Sequence, residues 1–147
     1  MHKDTPLLFV YGTLMSRSAH PMASRLRVMA KLVAPASVPG ALYNFGYFPA
    51  AIFDPYSRRR IYGELHQLNA PQTDFRVLDI YEGCSPGDPH PWLYRRQIVA
   101  AQLLSNHSVS AWIYTLIETP HCKVQIATGR YIARNAKLMS GPLKRSD

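Results

Sequence analysis

The sequence predicts a single α+β domain in which short strands outnumber helices, and three observations carry that prediction. A chain of 147 residues with 47% hydrophobic and 18% charged side chains is long enough to bury roughly two-thirds of its unfolded surface. That is the composition of a packed core, not of a disordered or coiled-coil chain. The apolar residues fall mostly in short runs or alternate with polar ones, which is strand patterning. The best helical stretch, Pro71 to Glu82, carries both a start and a stop signal.

The elements follow in order. Leu7-Leu8-Phe9-Val10-Tyr11, closed by Gly12-Thr13, reads as a buried strand ending in a sharp turn. A short helix is expected from Ala19 to Arg27, with Pro21 confined to its first turn. Val28 to Val38 reads as an irregular strand, broken by Pro39-Gly40 before Ala41-Leu42-Tyr43, and 46–49 reads as a loop. Ala50 to Phe53 is a brief strand, and Ile61 to Leu68 alternates as a half-buried strand does. Pro71 suits a helix start and Gly83 a helix exit. The prolines of 85–91 demand an exposed loop. Tyr94 to Leu104 and Val109 to Ile117 read as strands joined by a turn, and Gln125 to Leu138 as a partly helical end. No repeat, linker or low-complexity tract divides the chain, so residues 1–147 are expected to form one domain, with tails at 1–6 and 138–147.

Several function classes are argued against by what the sequence carries. The longest apolar runs fall far short of the ~18 residues of a membrane helix. The opening residues hold an acid and a proline before a very short apolar run, which argues against a secretory signal and for the cytoplasm. The formal net charge of +8 sits in short clusters such as Arg58-Arg59-Arg60 and Arg95-Arg96, with no basic stripe interleaved with aromatics, so no nucleic acid is expected as partner. Cys84 and Cys122 lack metal or redox spacing, the six histidines form no ligand pair, and no nucleotide-phosphate loop occurs. No metal and no organic cofactor are expected.

Chemistry is expected at two places. Asp4 and Asp147 are terminal, Asp54 and Asp88 lie beside prolines, Glu64 lies in a strand out of phase with Leu65, and Glu118 closes a strand. Glu82 differs: at about 100° per residue with Phe75 at zero, Leu78 falls near ~300° and Glu82 near ~340°, so its carboxylate flanks the buried face. Asp79 and Arg76 are expected on the polar side. Burial and the partial negative charge of the helix C-terminus both push the Glu82 pKa upward, as a general base working near neutrality requires. The competing reading is that Glu82 bonds a neighbouring strand or pairs with Arg95 or Arg96. The second place is Tyr11-Gly12-Thr13-Leu14, a turn whose consecutive N–H groups can hold a carboxylate or an oxyanion. Many strand-glycine turns do nothing of the kind.

Taken together these segments resemble the gamma-glutamyl cyclotransferase-like family (gamma-glutamylamine cyclotransferase-like). Phe9-Val10-Tyr11-Gly12-Thr13-Leu14 is similar to its opening strand and substrate loop, followed by Pro39-Gly40-Ala41-Leu42-Tyr43, Phe48-Pro49-Ala50 and Tyr62-Gly63-Glu64-Leu65. Leu78-Asp79-Ile80-Tyr81-Glu82-Gly83 is similar to the segment with its catalytic glutamate, and Tyr94-Arg95-Arg96 to the strand after it. The likeness runs from residue 7 to about 131, in the family's order; the 85–91 loop and the tail from Lys137 match nothing in the pattern.

The resemblance implies a mixed β-barrel of about six strands with a few surrounding helices, a cavity at one end, and catalysis without a cofactor. It implies a small gamma-glutamyl amide as substrate, with the oligomeric state left open. Glu82 would take a proton from the substrate's alpha-amine, the amine would close a lactam on the gamma-carbonyl, and the same carboxyl would return the proton to the departing amine. The products would be 5-oxoproline and a free amine. Tyr11, Gly12, Thr13 and Leu14 would bind the substrate. Tyr94 would either add a hydroxyl or serve as a core tyrosine. Two rivals are a non-catalytic binding or regulatory module on the same fold and an acyl hydrolase using Cys84.

Overall fold

Successive side chains of a strand point to opposite faces, and the first strand uses both: Phe9 packs in one apolar cluster, Leu8 and Val10 in another. The computed structural model describes residues 5–15, 18, 20–46 and 48–131, and in it this alternation runs around a closed barrel. β1 (Leu7–Val10) pairs antiparallel with β4 (Arg60–Leu68) and parallel with β6 (Ser108–Leu116). β4 pairs antiparallel with β2 (Ala30–Asn44), and β6 with β5 (Tyr94–Leu103). Ala36–Leu103 and Ser37–Gln102 then join β2 to β5 and close the ring. Five strands make the barrel, and β3 (Pro49–Phe53) and β7 (Val124–Gln125) extend it along the far half of β2.

The barrel interior holds Phe9, Val38, Ile61, Leu65, Val99 and Ile113, with alanines at 36, 101 and 111 where the strands crowd. Outside it, Leu8, Val10 and Leu68 meet Met22 and Leu26 of α1 (Pro21–Met29) and Phe75 and Leu78 of α2 (Pro71–Glu82). Among the described residues no helix is long and apolar enough to cross a membrane.

α2 has the bounds its sequence announces. Pro71 occupies its first turn, and the Asp74 carboxylate reaches back to accept the Ala70 N–H at 2.9 Å. Gly83 adopts φ 75°, the left-handed conformation that ends the helix, with its N–H on the Ile80 carbonyl and that of Cys84 on Asp79.

Three expectations change. α1 runs on to Met29, so the following strand begins at Ala30 and not at Val28. Pro39-Gly40 does not break that strand: Pro39 still lies in register with Arg60, and Gly40, at φ 148°, turns β2 from β4 onto β3. A Cβ there would lie 2.2 Å from the Ile52 carbonyl oxygen, so only glycine permits the change of partner. The end expected to be partly helical instead pairs Gln125 with Tyr43 and turns at Ile126–Gly129, where the Gly129 carbonyl accepts the Tyr62 N–H; 132–138 lie outside the described residues.

Candidate active site

β1 ends, α1 starts, α2 ends and β5 starts around one cavity of about 330 Å³. The segment Tyr11-Gly12-Thr13-Leu14 forms one wall, Glu82 and Tyr94 border it, and thus all six residues singled out from the sequence meet there. The N–H groups of Gly12, Thr13 and Leu14 donate to none of the described residues, while the Gly12 carbonyl accepts from Met15 to close the turn. His20, Phe48, Pro49, Tyr81 and Tyr114 also line the cavity and were not anticipated. His20 was findable as the residue before a helix-starting proline, and Tyr81 as the neighbour of Glu82. Phe48 and Pro49 lie in a segment that carried the resemblance but was given no role, and Tyr114 carries no local signal.

Glu82 makes no hydrogen bond or ion pair with a described residue. Burial raises its pKa from 4.5 to about 7, and the nearby negative charge of Asp79 adds to the rise. It therefore exchanges a proton near neutral pH. Of the two arginines considered as its partner, Arg96 pairs with Asp79 instead.

Asp79 is the clear departure from expectation. It does not sit on the polar side: its carboxylate takes Arg96 Nε at 2.8 Å and Nη2 at 3.1 Å, and the Tyr114 hydroxyl at 2.6 Å. Asp79 follows Phe75 by four positions, which puts both on one helix face. Arg96 reaches them from β5, its guanidinium 4.2 Å from the Phe75 ring centre and 4.4 Å from that of Trp112. A bidentate, charge-assisted pair of this kind holds a carboxylate against an apolar face. Asp79→Asn removes a negative charge beside Glu82, so the Glu82 carboxyl is expected to titrate lower, as read by a ¹³C NMR titration. An unchanged midpoint would discard Asp79 as a cause. Leaving Arg96 and Tyr114 without their charged acceptor is expected to cost about 1–3 kcal/mol of stability.

Tyr11 borders the cavity, but its hydroxyl is engaged elsewhere. It donates to the Tyr114 carbonyl at 2.7 Å and accepts the Ala51 N–H at 3.3 Å, tying the end of β1 to β6 and β3. Tyr11→Phe leaves a buried N–H and carbonyl unpaired and is expected to destabilise the chain by about 1–3 kcal/mol in urea unfolding. Tyr94 is packed as a core tyrosine and also borders the cavity. Its ring packs with Ala50 and Leu116, and its hydroxyl has no partner among the described residues. Burial, with Glu82 nearby, holds that phenol protonated.

Cys84 is buried, and burial together with Asp79 pushes its thiol up to about 12, which removes it as a nucleophile. The described residues contain no cluster of three or more metal-ligating side chains.

The model of the family described as Gamma-glutamyl cyclotransferase, AIG2-like matches residues 8–133. No curated protein matches the chain in sequence. Among solved structures, an AIG2-like protein from Mus musculus superposes with a TM-score of 0.67 at 20% identity, over 93% of this chain and 90% of that one. A gamma-glutamyl cyclotransferase gives 0.56 at 16%, over 94% and 82%. YkqA from Bacillus subtilis gives 0.61 at 23%, over 86% of this chain but only 39% of its own length. These likenesses are of fold.

Proposed function

Since the chain belongs to the gamma-glutamyl cyclotransferase, AIG2-like family, we propose that its cavity converts a small gamma-glutamyl amide into 5-oxoproline and a free amine, with Glu82 as general acid and base. One observation carries the reading: a carboxyl with no partner among the described residues, its pKa raised to about 7, lines the same cavity as the N–H groups of 12–14, which donate to none of the described residues.

The alpha-amine of such a substrate is mostly protonated near neutral pH, and the raised pKa of Glu82 brings the carboxyl closer to it in proton affinity than an ordinary glutamate would be. That lowers the cost of transfer, which suits a group that must first accept and later return a proton. The freed amine attacks the gamma-carbonyl within the same molecule, so folding the substrate against the wall settles much of the orientational entropy. A C–N bond forms as the five-membered ring closes. The tetrahedral oxyanion collapses with cleavage of the original amide C–N bond as the proton held by Glu82 passes to the leaving nitrogen; the ring nitrogen, cationic after attack, gives its second proton to the emptied Glu82 carboxylate, from which it passes to the released amine. Gly12, Thr13 and Leu14 supply neutral donors for the alpha-carboxylate or the oxyanion.

The rival reading, a binding module without chemistry, would use the same carboxyl only to pair with a ligand's amine, and it predicts no product release. The chain is proposed to act in the cytoplasm on a small molecule, with neither nucleic acid nor membrane as partner and no cofactor. The test is a panel of gamma-glutamyl amines, covering amino acids, peptides and polyamines, assayed for 5-oxoproline. Release from at least one member is expected, and release from none would overturn the assignment.

A further inference from the structure

Three cavity residues from three different elements form one hydrogen-bonded chain. Thr13 Oγ1 lies 3.3 Å from the Tyr81 hydroxyl, and that hydroxyl lies 3.3 Å from His20 Nε2. The His20 and Tyr81 rings also meet edge to face, with centres 5.5 Å apart. Thr13 stands in the turn after β1, His20 caps the start of α1, and Tyr81 belongs to the last turn of α2.

Such a chain can run in two senses, and the helix cap fixes the direction of its first link. The Met22 backbone N–H, which can only donate, lies 3.0 Å from His20 Nδ1. Nδ1 must therefore present a lone pair, and the single proton of a neutral imidazole sits on Nε2. Nε2–H then donates to the Tyr81 oxygen. Burial raises the Tyr81 pKa, so the phenol keeps its proton; either hydroxyl can donate in its contact with Thr13, but with Nε2–H already on the Tyr81 oxygen the phenol proton is the one left to bridge to Thr13 Oγ1. In that sense of the chain Oγ1 accepts, and the Thr13 hydroxyl proton turns away from Tyr81, with no other acceptor among the described residues. The opposite tautomer would reverse every step and turn that proton back into the protein.

We propose that His20 and Tyr81 are positioning residues that hold the Thr13 hydroxyl as a hydrogen-bond donor into the cavity, toward an anionic oxygen of the bound substrate. The identity of that occupant rests on the function proposed above; the sense of the chain does not. Among the described lining residues there is no lysine or arginine, so a carboxylate or oxyanion there must be met by neutral donors. A hydroxyl free to rotate loses part of its value as a donor, and the relay removes that freedom.

Two measurements test this on the full chain. Long-range ¹⁵N–¹H NMR of the imidazoles is expected to show His20 with its proton on Nε2; an Nδ1–H pattern would overturn the proposal. Kinetics of 5-oxoproline release supply the second. Tyr81→Phe is expected to lower kcat/KM about 3- to 10-fold, the worth of one neutral hydrogen bond. His20→Asn keeps a good helix cap but cannot reach Tyr81. It is expected to lose as much with little change in Tm, and the double variant to lose no more than either single one. Thr13→Ser is expected to retain more activity than Thr13→Val. Losses that add across the double variant, or rates unaffected by Tyr81→Phe and His20→Asn, would overturn the relay. A wild-type chain inactive on every gamma-glutamyl amide would sink the proposed reaction instead, and the NMR pattern would still decide the relay.

Discussion

Glu82→Gln is expected to lower kcat/KM for 5-oxoproline release by about 10²- to 10⁴-fold, the usual contribution of a general base, with the barrel intact. The amide keeps the shape of the carboxyl but accepts no proton. In the wild type the rate is expected to rise with pH through about 7, because ionisation of Glu82 creates the form that can take the amine's proton, and the variant's residual rate is expected to lack that limb. Stability moves the other way. In the unfolded chain the carboxyl titrates near 4.5, and in the folded chain near about 7. Below both values each state holds the proton and Glu82 carries no penalty. Between them the unfolded state releases its proton first, so stability falls as pH rises, and above the folded value the full penalty is present. At about 1.4 kcal/mol per unit its upper bound is about 3–4 kcal/mol. The Tm difference, variant minus wild type, is therefore expected to grow between about pH 5 and pH 8. Retention of more than about a twentieth of the wild-type rate by a folded variant would remove Glu82 from the mechanism, since a base worth 10² leaves less.

Gly12→Val is expected to lower kcat/KM at least tenfold, most of it through KM, and to lower stability by about 1–3 kcal/mol, the usual cost of overpacking. A Cβ at this position would stand 2.6 Å from Pro49 Cγ and 2.9 Å from Cδ. Pro49 is a closed ring that cannot swing aside and is itself part of the cavity wall. The loop must therefore shift away from β3 and carry the N–H groups of 12–14 with it. The contact with Pro49 thus adds a stability cost to the displacement of the turn. Urea unfolding and substrate kinetics on the same variant separate the two effects. A protein destabilised by this amount with an unchanged KM would show that the loop's position does not matter to the substrate.

What the sequence determined by itself was local. The apolar run from Leu7 to Tyr11 marked a buried strand, alternation in Ile61 to Leu68 a half-buried one, and the Pro71 and Gly83 signals bounded α2, because these depend on backbone preferences of adjacent residues. Helical periodicity placed Glu82 at the margin of the buried face, and burial at a helix end set the direction of its pKa. What tertiary structure decided was every pairing between distant segments. Gly40 reads as a strand break until the Ile52 carbonyl is seen beside it. Asp79 reads as solvated until Arg96 and Tyr114, 17 and 35 positions away, supply the charge and hydroxyl that draw it in. The His20–Tyr81–Thr13 chain spans 68 positions and leaves no periodic trace. Hydrophobic period reports which face of an element is buried, whereas the partner that satisfies a polar group on that face arrives from whichever strand the barrel's closure brings there.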